Sequence, residues 1–177
     1  EIKSMWGDIA IAFLLAFITA FVITPYTIRL AQKVGAVDYP NDRRINKKPM
    51  PRLGGLAVIA GFMVSAIYLI ITMSIEKKVN FAEDGLNRKL IGCLLGAIIL
   101  GITCYIDDVK DIKPLVKLAG QVIAAIVVVS SGVLIDNFTI PFKENNVMLN
   151  EVFSFVLTVG WIVGITNAIN LIDGLDG

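Results

Sequence analysis

The stretch Asn167-Ala-Ile-Asn170-Leu-Ile-Asp173-Gly-Leu-Asp176-Gly177 spaces two amides and two carboxylates by threes. On a helix, steps of three drift by about 60°, so Asn167, Asn170 and Asp173 share one broad face. Carboxylates at a helix C-terminus meet the negative end of the macrodipole, a penalty that a bound cation removes. Gly174 and Gly177 let the backbone turn and come close to a ligand. The plain alternative is a polar helix end stopped by glycine. A second acidic group, Asp107-Asp108-Val-Lys-Asp111, follows the uncharged run Leu90–Ile106. Asp107 and Asp111 share a helical face, whereas Asp107 and Asp108 point about 100° apart. Asp111 has an ordinary structural role open to it, as the cap of a helix opened by Pro114. Asp107 and Asp108 have no comparable role.

The third cluster is basic: Pro40-Asn-Asp-Arg-Arg-Ile-Asn-Lys-Lys48-Pro-Met-Pro-Arg52-Leu-Gly-Gly55, with six cations between Lys33 and Arg52. A positive loop facing anionic lipid accounts for the charge. It leaves Pro49, Pro51, Gly54 and Gly55 unaccounted for, residues that stiffen the loop and then open a helix. Backbone amides at a helix start beside Lys48 and Arg52 suit a phosphate. Further on, Lys117 and Gln121 lie four apart on one helical face. Each has a structural reading as well, a snorkelling lysine and a helix–helix hydrogen bond.

The elements that must carry these clusters are membrane helices. The chain of 177 residues is 56% hydrophobic, with mean hydropathy +0.76, too apolar for an ordinary soluble domain of this size. Its 16 basic and 15 acidic residues leave no excess for binding a polyanion such as nucleic acid. With no histidine, His-ligated metals and His general bases are excluded within this chain. Cys93 and Cys104 lie in apolar sequence and read as packing residues. Five uncharged runs, Ile9–Ile28, Leu53–Ile75, Leu90–Ile106, Leu118–Ile135 and Val152–Ile172, are 17 to 23 residues long, the length that crosses a bilayer. The first is too long for a signal-peptide core, and Arg29 and Lys33 follow it as a stop. Pro25 is expected to kink it. The expected fold is all-α and polytopic: a single integral-membrane domain over 1–177 with five transmembrane helices.

Loops 29–52, 107–117 and 173–177 carry ten cations against six on the opposite side. The positive-inside rule therefore puts the N-terminus outside and all three polar clusters on the cytoplasmic face. On the outer side, residues 136–150 alternate weakly, which predicts a short extracytoplasmic β-hairpin turning near Asn145-Asn146. Carboxylates from two helices and cations from two loops on one face suit Mg²⁺, held by one or two carboxylates plus substrate phosphates, with Lys and Arg on the remaining phosphate oxygens. A cation-coupled transporter is the rival of another class, but its acids belong near the bilayer midplane. Every Asp and Glu here lies outside the five runs. A purely structural membrane protein leaves Asp107, Asp108 and Asp173 without a role.

In Pro40-Asn-Asp-Arg, Lys48-Pro-Met-Pro-Arg-Leu-Gly-Gly55, Asp107-Asp108…Asp111 and Asn167–Gly177, taken in order, the chain resembles the polyprenyl-phosphate N-acetylhexosamine-1-phosphate transferases over nearly its whole length. The resemblance implies a multi-pass protein of the bacterial plasma membrane. It would pass a sugar-1-phosphate from a UDP-sugar to undecaprenyl phosphate, releasing UMP, with Mg²⁺ (Mn²⁺ as a substitute) and a cytoplasmic active face. The Pro-Met-Pro-Arg-Leu-Gly-Gly wording resembles the UDP-GlcNAc branch, which starts teichoic acids, O-antigens and related polymers. The phospho-N-acetylmuramoyl-pentapeptide branch is the runner-up. By resemblance Asp173 is the main Mg²⁺ ligand and Asp107 faces the lipid phosphate as general base of a direct transfer; the alternative is a two-step transfer in which the acids include a nucleophile. Asp108 and Asp176 support the metal and diphosphate. Asn167 and Asn170 position the nucleotide or the groups around the metal, and Lys48, Arg52 and Lys117 hold phosphates. A homodimer follows from family analogy alone.

Two departures from the family pattern stand out. Asn46 occupies a position where many relatives carry histidine, so proton transfer there is lost while hydrogen bonding survives. The family also continues past Asp-Gly-Leu-Asp-Gly with further spans and a His-rich loop. The expectation is a chain truncated after that motif, inactive by itself.

Overall fold

In the computed structural model, residues 2–40, 48–75, 86–139 and 146–173 are described. Five helices dominate: α1 (Ile2–Val34), α2 (Gly54–Ile75), α3 (Leu86–Lys110), α4 (Pro114–Ser130) and α5 (Glu151–Asp173). Four of them, over Trp6–Val34, Gly54–Ile75, Asn87–Lys110 and Glu151–Leu171, are long and apolar enough to cross a membrane. Phe13, Phe17, Phe21, Ile67, Ile71, Val156 and Trp161 on their outer faces are all exposed, as side chains facing lipid would be. The α1 span starts at Trp6, ahead of the expected Ile9, and so takes in the buried Asp8 close to its N-terminal end.

The chain forms two compact units. The first holds residues 1–86 and 101–112. Here α1 and α2 run against each other, close enough that a Cβ on Gly61 would come within 2.5 Å of the Ala16 carbonyl oxygen. Helix α1 continues through Pro25. Nearby, the Thr24 and Thr27 hydroxyls donate to the carbonyls of Ala20 and Thr24. Helix α1 stops at Gly35, whose φ of 78° lies in the left-handed region. The Ala36 amide then donates back to the Ala31 carbonyl at 2.9 Å, closing a Schellman motif. The following segment makes two-residue strands unforeseen in the sequence, β1 (Val37–Asp38) and β2 (Met50–Pro51), antiparallel with Val37 opposite Pro51. Ala31, Ala36 and Leu53 form the buried cluster beneath, covered by Leu56 of α2 and by Tyr105 and Val109 of α3.

The second unit holds residues 87–100 and 113–177. Small residues set its helix spacing. A Cβ on Gly96 would collide with Val128 Cγ2, and Ala124 and Ala125 are fully buried, the close approach typical of helices in lipid. Proline opens α4 as expected, but Lys113, with no side-chain hydrogen bond, occupies its N-cap. Asp111 therefore does not cap α4. The apolar run also outlasts its helix. Helix α4 has 17 residues and ends at Ser130, because Gly132 turns left-handed with φ 98°. Residues 133–136 are neither helix nor strand, and Ile135 is tied to α5. The Ile135 amide donates to Thr158 Oγ1 at 2.9 Å, and Ser154 Oγ donates to the Ile135 carbonyl at 2.6 Å. Hydropathy does not distinguish a helical apolar residue from a non-helical one whose backbone is satisfied by buried hydroxyls.

The expected hairpin is present as β3 (Asn137–Thr139) paired antiparallel with β4 (Asn146–Met148). Asn146 pairs with Thr139 inside the ladder, so it belongs to the strand, and the connecting 140–145 lies outside the described residues. Asn150 caps α5, its Oδ1 accepting from the Phe153 amide at 2.8 Å.

Candidate functional site

In the first unit the basic loop and the acidic end of α3 meet through Arg52. Its Nη2 lies 3.0 Å from Asp38 Oδ1 and its Nη1 lies 3.0 Å from Asp111 Oδ1. The guanidinium is thus shared between β1 and the residue just past α3. Backbone geometry prepares both ends. The Arg52 amide donates to the Ala36 carbonyl, extending the β1–β2 pairing, and the buried Leu53 anchors the turn into α2. Asp111 has a φ of 45°, and its amide donates to the Asp107 carbonyl at 2.8 Å. A left-handed residue closing a helix with such a bond is an αL cap, a conformation Asp tolerates better than most residues. The acid expected to start α4 is therefore the one that ends α3, and its carboxylate is turned toward Arg52. Asp107 and Asp108, in the last turn of α3, are half-buried. Lys48 is exposed ahead of β2, and Gly54 and Gly55 open α2 with free space around them.

In the second unit Lys117 is half-buried in the first turn of α4, and Gln121 one turn on is buried. Asn167 Nδ2 donates to Gln121 Oε1 at 2.7 Å and to the Val163 carbonyl at 2.8 Å. Asn170 is exposed, and Asp173 is the last residue of α5. Asp176 and Asn46 lie outside the described residues. The structure thus unites Arg52 with Asp111 and Asn167 with Gln121. No cluster of three or more metal-binding side chains occurs among the described residues. The donor types nevertheless suit a hard cation: Asp107, Asp108 and Asp173 offer only carboxylate oxygens, the ligands Mg²⁺ prefers.

Asp38 went unnoticed in the sequence. Asp38 and Asp42 are the two acids between Arg29 and Arg52, so an ion pair with one of the six cations was foreseeable, but which cation was not. Removing Arg52 gives a first expected result. Each part-exposed pair contributes about 0.2–1 kcal/mol, so Arg52→Ala speeds amide exchange at Ala36 and residue 52 about fivefold in hydrogen-exchange mass spectrometry. Arg52→Lys does not restore protection, because one ammonium cannot reproduce a two-armed fork. Unchanged exchange in Arg52→Ala would show the bridge to be idle.

Apolar helices of spanning length define an integral membrane protein. Residues 90–177 match glycosyl transferase family 4. The chain is 39% identical over 173 residues to a probable undecaprenyl-phosphate N-acetylglucosaminyl 1-phosphate transferase of Bacillus subtilis, covering 96% of this chain and 43% of that protein. It is 37% identical to a decaprenyl-phosphate N-acetylglucosaminephosphotransferase of Mycobacterium tuberculosis, over 92% of this chain and 39% of that one. It is 28% identical to a phospho-N-acetylmuramoyl-pentapeptide-transferase of Campylobacter jejuni, over 94% and 48% respectively. No solved structure matches. The family match takes in residues 90–177, and the similarity to polyprenyl-phosphate N-acetylglucosamine-phosphate transferases runs over 92–96% of this chain. The chain spans less than half the length of these relatives.

Proposed function

We propose that the whole protein transfers GlcNAc-1-phosphate from UDP-GlcNAc to undecaprenyl phosphate, giving undecaprenyl-diphosphate-GlcNAc and UMP. The observation that carries this reading is the similarity across 96% of the chain to a protein named for that transfer. It outweighs the weaker likeness to the muramoyl-pentapeptide transferases, at 28% identity. The product would start a cell-wall or surface polysaccharide of the teichoic acid or O-antigen type. All five helices cross the bacterial plasma membrane in this reading, α4 at the lower limit of spanning length. The N-terminus is outside, and Asp107, Asp108 and Asp173 are on the cytoplasmic side, where UDP-sugars are made. A second copy of the chain as partner rests on family analogy.

The reaction is a phosphoryl transfer, in which positioning and charge neutralisation carry most of the catalysis. An oxygen of the lipid phosphate attacks the phosphorus that bears the sugar. The diphosphate P–O bond breaks, and UMP leaves with the electron pair. Asp107 accepts the proton whenever the acceptor phosphate still carries one; much of the acceptor is already anionic, so little base strength is needed. Asp173 with Asp107 and Asp108 would hold Mg²⁺, with Asp176 supporting the site. When bound, the ion offsets negative charge on the diphosphate. Lys48 and Lys117 reach for phosphate oxygens. Arg52 contributes too, but from a guanidinium already held by Asp38 and Asp111. Asn167 and Asn170 orient the nucleotide.

UMP release by the purified whole protein tests the reading. With UDP-GlcNAc, undecaprenyl phosphate and Mg²⁺, UMP accumulates; chelation with EDTA abolishes release, and UDP-MurNAc-pentapeptide does not replace the donor. The 177-residue chain gives no turnover in the same assay. Release that ignores chelation would remove the metal, and preference for the muramoyl donor would move the protein to the other branch. Proton- or cation-driven transport without UMP would make it a transporter.

A further inference from the structure

Gln121 is out of place in α4 by composition. It is 1% exposed, the largest polar side chain among the fully buried residues. Its Oε1 is engaged by Asn167, while its Nε2 has no acceptor among the described residues. A buried amide nitrogen without an acceptor is costly, and an apolar residue of equal volume would fill the same space without that cost. Packing alone therefore does not explain the residue. What Gln121 does that an apolar residue could not is hold Asn167. Helices in lipid lack a hydrophobic drive that would fix their rotation against one another, so small-residue packing and single hydrogen bonds set their register. Asn167 Nδ2 bridges the Val163 carbonyl of its own helix and the α4 amide. The rotation and depth of α5 near its C-terminal end are thereby pinned at one buried point.

We propose that Gln121 is a positioning residue for the reaction: through Asn167 it sets where α5 presents Asn170 and Asp173. This rests on the transferase reading of those two residues. They follow Asn167 by three and six positions, about 4.5 and 9 Å along the helix axis, so a rotation released at Asn167 passes to them through continuous helix. Groups that bind metal and nucleotide tolerate about 0.5 Å and 10–20° of error.

The test uses the whole protein in bilayers, with Gln121→Met as the variant that keeps volume and removes the acceptor. A nitroxide at Leu171, introduced with Cys93 and Cys104 replaced by serine, reads the rotation and depth of α5 without reference to activity. The expected results are a changed collisional accessibility of the label and a fall in kcat for UMP release of about 100-fold, with KM for UDP-GlcNAc within about twofold and the unfolding midpoint unchanged. The pair Gln121→Met and Asn167→Leu together costs no more than Asn167→Leu alone, as residues acting in series should. Gln121→Asn, an amide one methylene short, gives the same pattern and serves if Gln121→Met does not insert. An unmoved label, or a kcat within about twofold of the parent, overturns the proposal. Absence of UMP release by the unsubstituted protein would instead overturn the transferase reading, while the label would still report whether Gln121 holds α5.

Discussion

Asp173→Asn in the whole protein lowers UMP release by about a thousandfold, the cost of removing a group that stabilises transition-state charge, and leaves insertion and helix content intact. Asn has nearly the same shape and is an acceptable residue at a helix end, so the change removes charge and little else. That charge is otherwise hard to justify. Asp173 is the last residue of α5, where the macrodipole already makes the environment negative, and no cation stands in the last turn of that helix. A residue that is unfavourable for its own helix and favourable for a bound divalent ion should show its effect in turnover. Asp107→Asn has a comparable expected cost, with the half-buried Asp107 keeping its backbone bond to Asp111. The measurement is steady-state UMP release over a series of Mg²⁺ concentrations, alongside a thermal unfolding curve. Near-normal turnover in Asp173→Asn would sink the metal-site reading, and a collapse of the unfolding midpoint would show that the residue serves the fold.

Gly61→Leu is expected to have the largest effect on the scaffold. The Cβ alone would stand 2.5 Å from the Ala16 carbonyl oxygen, 3.3 Å from its carbon and 3.4 Å from the Ala20 Cβ. The first two neighbours are backbone, which cannot swing aside as a side chain can. Either α1 and α2 separate or the residue twists out of its helix. Overpacking of this kind costs about 1–3 kcal/mol, and this substitution belongs at the upper end because the obstacle is main chain. The expected readout is a lower yield of inserted protein and a fall of several degrees in the unfolding midpoint. Gly54→Ala and Gly55→Ala are the controls, since nothing lies within 4 Å of either position. A stable Gly61→Leu would mean that α1 and α2 do not pack as described.

How far the sequence reaches differs between elements. Long uncharged runs translate directly into helices because lipid leaves a backbone little other choice: α2 and α5 fall within one residue of their expected limits and α3 within four, while α1 starts seven residues earlier and ends six later than its run. Pro114 at the start of α4 acts through its own ring and so was readable, whereas the Asn150 cap of α5 came only with the structure. The run 118–135 reads as one helix, but the helix ends at Ser130. Beyond it, hydroxyls on Ser154 and Thr158, distant in sequence, satisfy the backbone of Ile135. No local pattern encodes a partner that arrives from another element. The β1–β2 pair escaped notice for a similar reason: two residues are too few for an alternation to register.

The terminal amides and acids, the acidic pair at the end of α3 and the cation-rich loop were all identifiable by type and spacing, since those properties belong to single segments. An expected class of chemistry follows, because carboxylates, lysines and arginines clustered at the ends of long uncharged runs have few uses apart from cations and phosphates. Pairing is a property of space and came only with the folded chain. It gave Arg52 two carboxylate neighbours before any phosphate arrives, turned Asp111 from the start of one helix to the end of another, and tied Asn167 to Gln121 across 46 positions of sequence. Distance along the chain carries almost no information about which buried donor meets which acceptor. That is settled by helix packing, and here the packing is set by glycine and alanine, the residues whose spacing in the sequence says least about their neighbours.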